Sequence, residues 1–168
     1  DLRHLVLGSE GRLGFITEAT IKVWPLVEGE EDHIFGLFFP SWERGIEGVR
    51  NLVGAGIPLL MVRLSNPRET AINLEFSGHE RTTAFLKRYL PLRGIPNDEG
   101  CMCLLGFRGP QKLVAAARKE TAAILKNEKA VPLGKAMGEA WKKNRFRMPY
   151  LRNTLWSMGY AVETVETA

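Results

Sequence analysis

The chain is predicted to be α+β, an antiparallel sheet backed by helices, and three observations lead there. Residues 33–65 run strand, helix, strand, and the logic returns from "CMCLLGFRG" to "AVPLG". Each unit's helix carries one apolar stripe. Capping and breaking residues stand at the junctions: Ser41 before the first helix, Gly54 and Gly56 after it, and Pro110 at the start of the second.

The first elements are strand-like. "HLVLG" is a short apolar run, and "FITEATIKVWPL" alternates Ile16, Glu18, Thr20 and Lys22 against Thr17, Ala19, Ile21 and Val23. Pro25 and the acidic "EGEED" then break the pattern. They place a domain boundary near Glu28 to Asp32, dividing residues 1–28 from 29–168.

"HIFGLFFP" reads as a buried strand. The helix behind Ser41 carries Trp42, Ile46, Val49 and Val53 at spacings of four, three and four, the expected core stripe, and "PLLMVRLS" is the returning strand. Two helices are expected next. In "NPRETAINLEF", Asn66 caps, Pro67 opens the helix and Glu69 completes a capping-box arrangement. In "HERTTAFLKRYL", Phe85, Leu86, Tyr89 and Leu90 form one face. The second unit follows, with Leu113, Val114, Ala117, Thr121, Ile124 and Leu125 as its helical stripe. Two such units in succession make the split β-α-β, ferredoxin-like arrangement. The last segment, "GEAWKKNRFRMPYLRNTLWSMGYAVETVETA", reads as helix, break at Pro149, helix, then a strand from Tyr160, with Tyr150 and Trp156 in the core.

Composition narrows the classes. With 168 residues, 45% hydrophobic and 25% charged, the chain can bury one real core. No apolar run approaches the roughly 20 residues of a spanning helix. The net charge of +4 comes from scattered basic residues, read as solvated surface and giving no nucleic-acid footprint. His4, His33 and His79 lack ligand spacing, so no metal site is expected. Cys101 and Cys103 read as reduced thiols at alternate positions of a strand, expected on its opposite faces, which suits an intracellular protein. The chain opens "DLRHLVLGSEG" without methionine and ends strand-like, so it reads as a piece of a longer protein.

One stretch stands apart. Gly8, Gly11 and Gly14 recur every three residues in "GSEGRLGFITEATIKVWPL". Glycine at such spacing admits positive φ and turns several N–H groups into one concavity, a nest for phosphate or another electron-rich group. A dinucleotide fingerprint needs a helix behind it, and "FITEATIKV" is not one. By spacing alone, a tight turn without ligand is the favoured reading.

The same residues resemble the close of the flavin domain in the FAD-linked oxidases of the vanillyl-alcohol-oxidase type, whose pattern runs near G-S-E-G-T-L-G-x-x-T-E-A before a strand and a proline. Arg12 departs from it, standing where that family has a small Thr or Ser. "MPYLRNTLWSMGYAVETVETA" is similar to the P-Y-[LI]-R-D, helix, E-T stretch of the alkyldihydroxyacetonephosphate synthase branch, with Asn153 in place of the acid. The resemblance implies that residues 1–28 are the last two strands of an FAD-binding domain and 29–168 an incomplete substrate (cap) domain.

It further implies FAD as cofactor, lying against Gly8, Ser9, Glu10, Gly11, Arg12, Leu13, Gly14, Phe15 and Ile16. Arg152 takes the family's activity-linked arginine, whose planar, permanently charged fork suits a phosphate or carboxylate. Glu166 and Thr167 occupy the E-T positions as pocket residues. Arg145 and Arg147 extend an anionic site or form a solvated loop. The implied activity exchanges the acyl group of acyl-dihydroxyacetone phosphate for a fatty alcohol, with a lipid-like phosphorylated small molecule as substrate. The implied location is cytoplasmic, with membrane association and a homodimer both open. Two alternatives stand beside it: an FAD-linked dehydrogenase of D-lactate or glycolate type, and a ferredoxin-like binding module without flavin.

Overall fold

The computed structural model describes residues 2–9, 11–23, 25, 31–76, 80–146 and 148–161. Strands β1 (Asp32–Phe39), β2 (Met61–Leu64), β3 (Cys101–Arg108) and β4 (Val131–Gly134) form one sheet in the order β2-β3-β1-β4. Every pairing is antiparallel, with Asp32 opposite Arg108 and Phe39 opposite Cys101. The strand of each β-α-β unit is thus separated from its mate by a strand of the other unit, the split arrangement expected. The α+β class holds.

Both faces of the sheet are covered, which is why β1 and β3 read as continuous apolar runs rather than alternating ones. On one face, α2 (Trp42–Gly54) and α5 (Gln111–Lys126) enclose Phe35, Leu37, Phe39, Cys103, Leu105 and Phe107. On the other, α3 (Pro67–Phe76), α4 (Glu80–Leu92) and α6 (Lys135–Asn144) enclose Phe38, Leu86, Leu90, Ile95 and Met102. Cys101 and Cys103 belong to the first face together, not to opposite ones, because residues two apart on a strand share a side. Burial pushes their thiols up, to about 11 and about 12.

The caps work largely as read. Ser41 Oγ accepts from the Arg44 N–H at 3.4 Å, and Gly56 takes the left-handed φ of 66° that ends α2. Asn66 Oδ1 accepts from the Glu69 N–H at 2.8 Å, but the Glu69 carboxylate pairs with Arg63 instead of closing a capping box. Helix α5 begins one residue after Pro110, which is its N-cap.

Helix α2 overturns its expected core stripe. Its buried residues are Gly45, Gly48 and Leu52, while Trp42, Ile46 and Val53 are 37%, 38% and 65% exposed. The reason is close approach. A Cβ at Gly48 would stand 2.7 Å from Phe39, and one at Gly45 2.9 Å from Leu64. The glycines let the helix axis sink toward the sheet, so the inward face carries only the Leu52 side chain to betray it. On α4 the expected face divides, with Leu86 and Leu90 buried and Phe85 61% exposed, its ring stacked on Tyr89 at 5.5 Å.

The N-terminal reading also changes. Leu2–Val6 form a short helix, α1, with none of its residues buried, and the described part of residues 11–23 has no regular structure. The alternation there is real, but a strand exists only through ladder bonds to a neighbour, and no described strand pairs with it. At the other end, α7 spans Met148–Ser157, so the break precedes Pro149, which sits in the first turn where its missing N–H costs nothing. Trp156 is exposed rather than core. The strand expected from Tyr160 falls mostly on 162–168, outside the described residues.

Candidate functional site

The glycine turn adopts the conformation its sequence requires. Gly8, Gly11 and Gly14 have φ of 77°, 78° and 150°, a region closed to most side chains, and nothing approaches within 4 Å of where a Cβ would lie. The turn is held from within: the Leu7 N–H donates to Arg3 O at 2.9 Å, Ser9 N–H to Val6 O at 3.1 Å and Arg12 N–H to Ser9 O at 2.9 Å. Ser9 is half-buried, and Arg12, Leu13, Phe15 and Ile16 are exposed, Phe15 by 95%. Glu10 lies outside the described residues.

The turn presents its main chain and an apolar edge together. The main chain is open to close approach at three positions, and the apolar Leu13, Phe15 and Ile16 flank it.

Arg152 is exposed on α7, with its guanidinium 5.7 Å from the centre of the Trp156 ring. Stacking of that kind leaves the in-plane N–H donors free for an oxyanion. Its described ring contact is within its own helix and not with the turn. Glu166, Thr167 and Arg147 lie outside the described residues. Arg145 stacks on Phe146 at 4.6 Å and Trp141 at 5.6 Å.

A basic cluster at the start of β1 escaped the sequence reading. Arg108 Nε donates to Asp32 Oδ1 at 2.7 Å, and Lys142 Nζ donates to the Asp32 carbonyl at 3.1 Å. The Arg108 hydrogen bond holds the Asp32 carboxyl below its usual 3.8, with Lys142 and Arg145 adding to the effect. Also unforeseen, Arg118 lies 3.8 Å from the centre of the Phe35 ring. Strand pairing and the packing of α5 and α6 on the sheet bring such residues together, and sequence spacing carries no trace of it. A cleft between α3 and α4 is lined by Thr70, Glu75, Lys87 and Asn97. Its Thr70 hydroxyl is spent on the fold, donating to Ser65 O and accepting from the Met102 N–H. No described helix is long and apolar enough to cross a membrane.

Comparison with known proteins follows the same line. An alkyldihydroxyacetonephosphate synthase of Dictyostelium discoideum is 32% identical over 99% of this chain, and one of Trypanosoma brucei brucei 25% identical over all of it. The chain spans 28% of the length of each. A solved alkyldihydroxyacetonephosphate synthase superposes on 92% of this chain with a TM-score of 0.68 at 32% identity, the match covering 28% of that protein. The model of the C-terminal domain of FAD-linked oxidases matches residues 30–168. The chain therefore belongs to the FAD-linked oxidase family, whose C-terminal domain it carries.

Proposed function

We propose that the chain is part of an FAD-dependent enzyme of the alkyldihydroxyacetonephosphate synthase type, which exchanges the acyl group of acyl-dihydroxyacetone phosphate for a fatty alcohol. The observation that carries it is similarity along the whole chain to synthases, from the positive-φ glycine turn at one end to the Arg152 helix at the other. In this reading residues 1–28 close an FAD-binding domain and 29–168 belong to the substrate domain. Self-association as a homodimer is part of the reading.

Bound flavin supplies an electron sink beside the substrate carbon. Gly8, Ser9, Glu10, Gly11, Arg12, Leu13, Gly14, Phe15 and Ile16 would lie against it, through main chain left open at the glycines and the apolar flank, the Ser9 and Arg12 N–H groups being held within the turn. Arg152 binds and orients the substrate's phosphate, its charge fixed at any working pH. Glu166 and Thr167 line the pocket. Fixing the phosphate confines the acyl-bearing end to one place, which lowers the entropy cost of reaching the reactive geometry.

The test is the rate of fatty acid release from acyl-dihydroxyacetone phosphate when a fatty alcohol is added to the full-length protein. Arg152→Gln lowers kcat/KM by roughly 30- to 100-fold, the worth of a charge-assisted fork, while the bound flavin spectrum stays as in the wild type. Undiminished turnover in Arg152→Gln would remove the arginine from the substrate site.

A further inference from the structure

Two cations from different helices converge on one aromatic ring. Arg118, from the middle of α5, sets its guanidinium 3.8 Å from the centre of the Phe35 ring. Lys135, the first residue of α6, brings its Nζ to 5.8 Å from the same centre. Phe35 lies on β1 and belongs to the core beneath α5, so three elements meet there. Phe35 is buried, while Arg118 and Lys135 are exposed. Among the described residues no carboxylate pairs with either cation.

Two like charges over one ring repel each other, and an exposed aromatic contact offsets little of that. Lys135 also stands where a cation is least favoured. Gly134, at φ of 79°, turns β4 directly into α6, and it has no side chain with which to cap the helix. The first turn of α6 carries no acid, so the lysine meets the positive end of the helix dipole with nothing to balance it there.

We infer that Arg118 and Lys135 form a phosphate-binding site, additional to the one proposed at Arg152, for the phosphate group of a small phosphorylated molecule. An oxyanion shared between the two charges turns their repulsion into attraction to a common partner. A carboxylate is satisfied by the arginine fork alone. A phosphate dianion has three terminal oxygens, enough for a bidentate arginine and the point charge of a lysine together. The Phe35 ring holds the guanidinium in place while its in-plane N–H donors stay available to the ligand. The site goes beyond the substrate reading, since neither residue shares a described contact with Arg152.

Limited acetylation of the full-length protein by acetic anhydride, read lysine by lysine in peptide mass spectra, is the test. Inorganic phosphate at about 10 mM slows acetylation of Lys135 roughly tenfold, and chloride at the same ionic strength does not. Lys119 and Lys126, exposed on α5, react alike in both salts and serve as internal controls. Arg118→Met keeps an unbranched apolar chain over Phe35 but removes the charge, and with it the protection of Lys135. Circular dichroism checks that this variant folds. Equal reaction of Lys135 with and without phosphate overturns the proposal, as does a Lys135 that reacts in neither salt. Protection that survives in a folded Arg118→Met overturns it too. Turnover of acyl-dihydroxyacetone phosphate plays no part in this readout, so its failure leaves the substrate reading standing.

Discussion

Replacing Gly138 with alanine puts the packing of α6 on β1 to the test. Helix α6 crosses β1 so tightly that a Cβ at Gly138 would overlap the Ile34 carbonyl group and stand 2.9 Å from Ile34 Cβ. An alanine inside a helix gains about 1 kcal/mol of propensity over glycine. Against that stands overpacking, about 1–3 kcal/mol and at the upper end here, since a strand backbone has no rotamer with which to give way. The net is a loss of about 2 kcal/mol, or roughly 4–8 °C in Tm for a chain of this size. Gly54→Ala is the paired control. That glycine ends α2 with open space around it, so alanine gains a few tenths to about 1 kcal/mol there. Urea unfolding of both variants reads the difference directly. If Gly138→Ala proves as stable as Gly54→Ala, the packing of α6 on β1 is wrong.

Two further outcomes concern ionisable groups. The buried thiols of Cys101 and Cys103, pushed to about 11 and about 12, stay protonated at pH 8, so a disulfide reagent leaves them unlabelled until urea unfolds the chain. Rapid labelling of the native protein would refute their burial. Asp32 has a folded pKa below its unfolded one, so its contribution is present above about pH 4 and lost as pH falls through the lowered value. With Arg108 partly exposed, that contribution is only about 0.5 kcal/mol. Asp32→Asn should therefore show a stability deficit at pH 7 that shrinks toward pH 2, measured by urea midpoints. A deficit equal at both pH values would mean that the ion pair contributes nothing.

The sheet was legible because both β-α-β units announce themselves locally, through apolar runs, Ser41 and Gly56. Helix α2 was legible as a helix but not in its orientation. Stripe rules count apolar side chains, and its inward face is built from Gly45 and Gly48, which have none. The opposite error occurred at residues 11–23, where alternation promised a strand. Alternation records two-sidedness, but only a neighbouring strand supplies the ladder. For the site, three glycines predicted the backbone they adopt, because positive φ is a local property. Arg152 came from motif resemblance alone, since nothing in its spacing distinguishes it from Arg145. The Arg108–Asp32 pair and the Arg118–Phe35 stack depend on contacts across the sheet and between elements, which no local pattern encodes.

The proposed function is that of a flavin enzyme acting on a phosphorylated ester. It is tested most directly by an anaerobic visible spectrum of the full-length protein, titrated first with acyl-dihydroxyacetone phosphate and then with D-2-hydroxy acids. A synthase shows a flavin band that is lost with the phosphate ester and unchanged by the hydroxy acids. Loss with a hydroxy acid alone would move the protein to the dehydrogenases, and a preparation with no flavin band would leave the glycine turn as only a turn.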